Sequence, residues 1–301
     1  MLALEKNKIN VKGVGSKMTE KNNKVFFSIE ELETLKRTLL TKEEYSFEDL
    51  VDIMTVLRSE IGCPWDREQT NESIRNNFIE ETYEVIEAID TSDPVLLREE
   101  LGDVMLQIVF HSRICEEKGD FDVKDVCSDI CKKLVHRHPH VFGQIDMKPE
   151  NSTEVLKVWN DIKNDEKQRV TVTDKLIAIP PMLPALMRAE KVGKKAKCFD
   201  FDGYESVRAK LDEELREVDE AVRSGKENDI EEEIGDLLLT VTSLSRKVGV
   251  NSEEALKKAT DKFIKRFATL ENETVLRGID INSATMEELD AVWDEIKHKI
   301  K

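Results

Sequence analysis

Apolar residues recur at helical spacing along most of the chain, and this pattern predicts a protein built from α-helices. From Phe47 onward, Leu50, Met54 and Leu57 fall on one face of a helix, until the residues around Gly62 interrupt the pattern. No segment shows the sustained alternation of apolar and polar residues that is typical of a half-buried strand. We therefore expect an all-α fold.

The same periodicity, together with residues that favour the ends of helices, predicts where the helices lie. Gly225, Gly249 and Gly278 are natural helix terminators in the C-terminal half. The predicted helices cover about residues 29–40, 47–57, 71–90, 95–118, 123–137, 205–224, 229–248, 252–273 and 286–299, with a further short helix around Trp159.

An acidic motif occurs twice in the chain, and the two copies lie 133 residues apart. Fifteen residues separate the two halves of the motif in both copies. This repetition predicts two tandem helical-bundle domains, at 46–168 and 169–301, after an N-terminal extension, 1–45, without a core of its own. The copies are Glu80-Glu81-x-x-Glu84 with Glu100-Leu-Gly-Asp103, and Glu213-Glu214-x-x-Glu217 with Glu233-Ile-Gly-Asp236.

Composition narrows the classes of partner. The 301 residues include 46 basic and 63 acidic side chains, and the resulting net charge of −17 repels nucleic-acid backbones and anionic membranes. The five cysteines are odd in number and show no Cys-x-x-Cys pair, which favours reduced thiols over a zinc site. No apolar run is long enough for a membrane helix or a secretory signal. We expect a cytoplasmic protein that binds neither nucleic acid nor membrane.

The repeated carboxylates have the chemistry of a metal site. Residues three or four apart share a helix face, so the carboxylates of each copy converge from two helices. Asp103 and Asp236 lie in strongly apolar segments, so we expect both to be buried, and a buried carboxylate is costly unless it is protonated, paired or bound to a metal. The glycine before each aspartate would allow a neighbouring helix or ligand to come close. Hard divalent cations take such oxygen ligands, which predicts Mg²⁺, with Mn²⁺ as an alternative. The candidate ligands are Glu80, Glu81, Glu84, Glu100, Asp103, Glu213, Glu214, Glu217, Glu233 and Asp236.

Each copy is followed by basic and aromatic residues four positions apart. Such pairs can present cations to phosphate oxygens and a flat ring to a base. The ordinary alternatives are solvated charges and core tryptophans. The candidate substrate contacts are Lys133, Arg137, Trp159 and Lys163 in the first copy, and Lys262, Arg266, Trp293 and Lys297 in the second.

The doubled acidic motif, with Gly-Cys-Pro-Trp-Asp before the first copy and His-Pro-His-Val-Phe-Gly after it, resembles MazG-type nucleoside triphosphate pyrophosphohydrolases over about residues 47–299. The wider all-α NTP pyrophosphatase superfamily shares the acidic motif alone. The resemblance implies a magnesium-dependent homodimer that cleaves nucleoside triphosphates to monophosphate and pyrophosphate. It also implies metal ligands at the candidate carboxylates of both copies. In the C-terminal copy it implies nucleotide contacts at Lys262, Arg266, Trp293 and Lys297, whereas the N-terminal copy of such proteins need not be competent.

The resulting hypothesis is hydrolysis at the α-phosphorus, in which a glutamate positions or deprotonates the attacking water. The catalytic candidates are Glu214 and Glu217 in the second copy, and Glu81 and Glu84 in the first. A narrow, dUTPase-like pyrophosphatase and a non-catalytic, metal-dependent nucleotide-binding protein remain as alternatives. The absence of a Gly-x-x-x-x-Gly-Lys-Ser/Thr motif disfavours a P-loop ATPase. Di-iron sites use Glu-x-x-His pairs, and the two acidic motifs contain no histidine, which disfavours a di-iron site.

Overall fold

A computed structural model of the chain describes residues 27–143 and 151–299. These residues form α-helices, one 3₁₀ turn at Lys197–Phe199 and no strand, which confirms the all-α prediction. None of these helices combines the length and the apolar character needed to cross a membrane. The α-helices are α1 (Ile29–Leu40), α2 (Phe47–Leu57), α3 (Pro64–Glu68), α4 (Arg75–Thr91), α5 (Pro94–Lys118), α6 (Val123–Arg137), α7 (Ser152–Glu166), α8 (Val172–Ile177), α9 (Ala185–Lys195), α10 (Tyr204–Ser224), α11 (Glu227–Lys247), α12 (Ser252–Leu276) and α13 (Met286–Lys299).

Side-chain caps explain several of the helix starts. Ser28 begins α1 and Asp122 begins α6, each as part of a reciprocal capping box that satisfies free backbone N–H groups. The predicted bounds of α1, α6 and α13 are confirmed. The prediction for α4 started four residues too early, because Thr70 and Ser73 close a turn in which the Thr70 amide donates to Ser73 Oγ at 2.9 Å.

The two acidic motifs lie on two helical hairpins of the same design. Helices α4 and α5 pack together across a two-residue connection, and so do α10 and α11. Ser92 ends α4 with a φ of 56°, and Gly225, at the corresponding position 133 residues later, ends α10 with a φ of 72°. In both turns this residue has a left-handed backbone conformation, which glycine adopts more readily than serine.

Contacts divide the chain into two units, 1–149 and 150–301. The core of the first unit lies where α2, α5 and the start of α6 meet. Burial of each large apolar side chain in this core stabilises the fold by roughly 1.5–3 kcal/mol. Helix α1 packs on α2. The buried core residues are Met54, Ile74, Val109, Phe110, Ile114 and Val123.

Arg58 holds the segment between α2 and α4, which includes α3, against the core of the first unit. Its Nε and Nη2 donate to the two carboxylate oxygens of Glu117 at 2.9 and 2.8 Å, and its Nη1 donates to the carbonyl groups of Asp66 and Gln69. The guanidinium carbon lies 5.3 Å from the centroid of the Phe110 ring. This segment carries the Gly-Cys-Pro-Trp-Asp motif and leads into α4, the helix that bears Glu81 and Glu84.

The second unit contains the α10–α11 hairpin. Helix α9 packs on α11 and α12, and α12 packs on α13 around Leu270, Val292 and Ile296. Asp200, just before α10, accepts hydrogen bonds from Arg246 and Lys247 at the end of α11. These bonds join the two ends of the hairpin.

Helix α7 belongs to the second unit by its contacts, although it precedes residue 168, where the sequence predicts the domain boundary. The stretch that would link the two domains also contains α8. The boundaries at 45 and 168 stay predictions.

Candidate metal centres

Each hairpin brings three carboxylates together. In the first, oxygens of Glu81 and Glu84 on α4 and of Glu100 on α5 lie within 4.8 Å of one another. In the second, Glu214 and Glu217 on α10 and Glu233 on α11 are grouped by the same criterion. We call these groups the first and the second cluster. The spacing within each helix and the packing of each hairpin together produce them.

The two clusters bury different members. Glu100, on the second helix of its hairpin, is 8% exposed, whereas Glu214, on the first helix of its hairpin, is 3% exposed. Burial raises the pKa of Glu100, and the negative charge of Glu84 raises it further. Burial likewise raises the pKa of Glu81, followed by the charges of Asp103 and Glu84. Two carboxyl groups of the first cluster therefore have raised pKa values.

A lysine supplies a positive charge to the second cluster. Lys210 Nζ lies 2.7 Å from Glu213 Oε1, 3.0 Å from Glu214 Oε1 and 3.8 Å from Glu217 Oε2. The hydrogen bond from Lys210 lowers the pKa of Glu213, and the carboxylates raise the pKa of Lys210. Burial, with the negative charge of Glu217 next, still raises the pKa of Glu233.

The sequence analysis missed Lys210. The signal was available, since a lysine four residues before Glu214 must share its helix face. The 133-residue offset aligns Lys210 with Asn77, which is neutral. Within 27–143 and 151–299, no lysine or arginine forms an ion pair with Glu81, Glu84 or Glu100.

The two aspartates lie beside the clusters and are less covered than their apolar surroundings predict. Asp103 is half-buried, and the prediction that Asp236 is buried is wrong. Its helix also exposes Leu238 and Leu239, because no described part of the chain covers that side of α11. The charge of Asp103 nevertheless acts on Glu81 and Glu100, and that of Asp236 acts on Glu233.

The polar face of α5 that carries Glu100 and Asp103 extends to Gln107. This buried side chain donates weakly from Nε2 to Glu81 Oε1 at 3.4 Å and so links α5 to α4. A Cβ added at Gly102 or Gly235 would meet no described atom within 4 Å. Any close approach at these glycines must therefore come from outside the described chain.

The residues fit a hard divalent cation. Carboxylate oxygens converge from two helices in each unit, which is the ligand type that Mg²⁺ prefers. Glu214 Oε2 and Gln107 Oε1 are buried and accept no hydrogen bond from a described group. A buried oxygen without a partner is costly unless a cation or a donor satisfies it. Glu80 is exposed beside the first cluster, and Glu213 pairs with Lys210 beside the second.

The predicted substrate contacts are arranged differently in the two copies. Those of the second copy lie on α12 and α13, which pack on each other, and the ring centroid of Trp293 is 5.4 Å from that of Phe263. Lys262 and Lys297 are exposed, and Lys297 pairs with Asp294 at 2.8 Å. Helix α12 also makes contacts with α11, which carries Glu233.

The corresponding residues of the first copy are divided between the units. Lys133 is exposed and Arg137 is buried, both on α6 of the first unit. Trp159 and Lys163 lie on α7 of the second unit, where Lys163 Nζ is 4.7 Å from the Trp159 ring centroid. Only the second copy therefore collects all four residues within one unit.

His138 and His140 lie at the end of α6. His138 is the C-cap of α6, and its Nδ1 is 2.7 Å from the carbonyl oxygen of Leu134. The rings of His138 and His140 are 5.9 Å apart. Among the described residues, neither belongs to a group of potential metal ligands.

Comparison with known proteins adds independent information. A family model described as the MazG nucleotide pyrophosphohydrolase domain matches residues 69–142 and 202–270. The nucleoside triphosphate pyrophosphohydrolase/pyrophosphatase MazG of Thermotoga maritima is 43% identical over 253 residues, which cover 83% of this chain and 95% of that protein. The nucleoside triphosphate pyrophosphohydrolase of Escherichia coli K12 is 40% identical over 256 residues, 83% of this chain and 96% of its own. A crystal structure of a mazG-related protein from Thermotoga maritima is 26% identical, with a TM-score of 0.34, and the match covers 39% of this chain and 98% of that one.

Proposed function

Since the chain belongs to the MazG family, it is a hydrolase of triphosphate anhydrides, and we propose that it cleaves nucleoside triphosphates at the α-phosphorus in a magnesium-dependent reaction. The products are a nucleoside monophosphate and pyrophosphate, from ribo- and deoxyribonucleotides. The identity to MazG relatives over most of their length supports the reaction class. The observation that carries the proposal is the convergence of three carboxylates from two helices, repeated in the second hairpin.

The clusters hold the metal, with Asp103 and Asp236 as further ligands and Glu80 and Glu213 beside them. When bound, Mg²⁺ supplies neutralisation of the triphosphate charge and a more acidic water. Glu214 or Glu217 in the second copy, and Glu81 or Glu84 in the first, orients the attacking water and accepts its proton.

The remaining contacts hold the nucleotide. In the second copy Lys262, Arg266 and Lys297 stabilise the departing pyrophosphate, and Trp293 offers a ring face to the base. The water oxygen bonds to the α-phosphorus while the bond to the bridging oxygen breaks, and the electron pair leaves with pyrophosphate. We favour the second copy as the working site, because its four contacts lie on two packed helices of one unit.

The proposal includes a cytoplasmic homodimer. The α4–α5 hairpin exposes Tyr83, Leu101 and Met105, at 54%, 49% and 43% of their surface. Large apolar side chains that share a surface are typical of protein interfaces. All five cysteines are free, which fits a reducing compartment.

Product analysis tests the reaction. Purified protein is mixed with each nucleoside triphosphate, with and without Mg²⁺, and the products are separated by anion-exchange chromatography. We expect monophosphate and pyrophosphate only with Mg²⁺. We expect Glu214→Gln to lower kcat about 10²–10³-fold, the scale of losing one charge-stabilising group in an active site.

Glu81→Gln asks the same question of the first copy. Glu87→Gln and Glu220→Gln are matched controls, because these exposed glutamates lie on the same helices, outside the clusters, and correspond to each other by the same offset. Diphosphate and phosphate as products would contradict the proposed chemistry. Nucleotide binding without turnover would assign the chain a regulatory role.

A further inference from the structure

The two clusters differ in one positive charge, and we propose that Lys210 is a tethered cation of the second cluster. A divalent metal must displace its ammonium group there, whereas no lysine or arginine in the described part of the chain forms an ion pair with the first cluster. The inference rests on the proposed metal sites, and it concerns how strongly each one binds metal before nucleotide arrives.

The position of Lys210 is well defined by its contacts. It contacts three carboxylates on its own helix, and the side chain of one of them, Glu214, is only 4% exposed. Glu213 and Glu214 follow Lys210 by three and four residues, the spacings at which side chains on a helix meet. The ammonium group thus supplies part of the positive charge that a metal ion would otherwise bring to this cluster.

A second observation points to a cation at the same place. The other oxygen of Glu214, Oε2, is buried and has no hydrogen-bond partner among the described residues. Lys210 bonds only the Oε1 side of this carboxylate. The second cluster therefore keeps an unsatisfied ligand atom for an incoming ion even while the lysine is in place.

The first cluster lacks this compensation. Asn77 occupies the position that corresponds to Lys210, and an amide carries no net charge. With Asn77 in place, a metal ion entering this cluster meets no competing positive charge from the described residues.

The consequence is that the two clusters differ in metal affinity although each contains three carboxylates. At the first cluster, three carboxylates attract the ion without opposition. At the second, the ion is repelled by Lys210 and must replace its ion pairs. We expect the first site to bind metal at least about tenfold more tightly in the absence of nucleotide, a difference that corresponds to about 1.4 kcal/mol.

Exchange of the two residues tests this directly. Binding of Mn²⁺ alone to the full-length, nucleotide-free protein is followed by the EPR signal of free Mn²⁺. Glu81→Gln isolates the second site, and Lys210→Asn in that background is expected to raise its affinity about tenfold. Glu214→Gln isolates the first site, and Asn77→Lys there is expected to lower affinity to a similar extent.

Arg208→Asn is the matched control, because it also removes one positive charge from α10 but at a residue that pairs with Asp212 on the surface. We expect no change in Mn²⁺ affinity for this variant. Circular dichroism checks that each variant is folded, and the two reciprocal exchanges test the inference independently. Mn²⁺ binding that neither exchange alters would overturn the tethered-cation inference alone. Absence of Mn²⁺ binding at both isolated sites would overturn the proposed metal sites as well.

Discussion

Replacement of Arg58 by methionine is expected to destabilise the first unit substantially. The change keeps a long, unbranched side chain but removes all the donors that hold Glu117 and the carbonyl groups of Asp66 and Gln69. The Arg58 side chain is only 5% exposed, so water cannot replace those donors without opening the loop.

The magnitude follows from these contacts. Breaking a buried ion pair by removing one partner costs about 3–5 kcal/mol. Glu117 is 32% exposed and keeps a hydrogen bond from Arg113 at 3.2 Å, which places the loss near the lower end. With a denaturant dependence of about 2 kcal/mol per molar urea, a loss of about 3 kcal/mol lowers the unfolding midpoint by about 1.5 M.

Trp65 is a suitable local probe, because it lies in α3 next to Asp66 and is 55% exposed. With Trp159 and Trp293 replaced by phenylalanine, its fluorescence during urea unfolding reports on the first unit. Arg98→Met is the control, since Arg98 is an exposed arginine of the same unit. A midpoint shift for Arg58→Met no larger than that of the control would refute the role assigned to Arg58.

Two further predictions concern pH. A raised pKa favours the protonated folded state, so in metal-free protein Glu81, Glu100 and Glu233 stabilise the fold below the ordinary value of 4.5, and this contribution is lost as pH rises through the raised values. Differential scanning calorimetry should therefore show a larger stabilisation by Mg²⁺ at pH 8 than at pH 5.5, and an equal effect at both would contradict this account. The pKa of Asp200 is lowered by the hydrogen bond from Arg246, so its stabilisation is present above its ordinary value of 3.8 and lost as pH falls. Asp200→Asn should cost the second unit about 3 kcal/mol at pH 7, measured by chemical unfolding, and much less in acid.

The helices could be predicted because their signals are local. Capping residues such as Ser28 and Asp122 specify a start within one turn. The early start predicted for α4 has a local cause too, since the side chains of Thr70 and Ser73 each accept a hydrogen bond from the other's backbone amide and so offer the backbone an alternative to the helix. The placement of α7 in the second unit was not predicted, because helical periodicity does not specify which unit a helix joins.

The carboxylate clusters were predictable, but their burial was not. Spacing along a helix specifies which carboxylates share a face, and this is enough to group Glu214 with Glu217. It does not specify how far a hairpin is covered by the rest of the chain. For this reason the apolar sequence around Asp236 wrongly predicted that Asp236 is buried. The buried carboxylates of the two clusters are instead Glu100 and Glu214.

The open space at Gly102 and Gly235 has a consequence for the rigidity of the two sites. A glycine inside a helix is less favourable than alanine by about 1 kcal/mol. At both positions the described neighbours leave room for the methyl group of an alanine. Each glycine immediately precedes an aspartate beside a cluster. We therefore expect the turns that bear these aspartates to open their helical hydrogen bonds at a lower free-energy cost than the same turns with alanine, so that the ligands could adjust locally without unfolding of the hairpin.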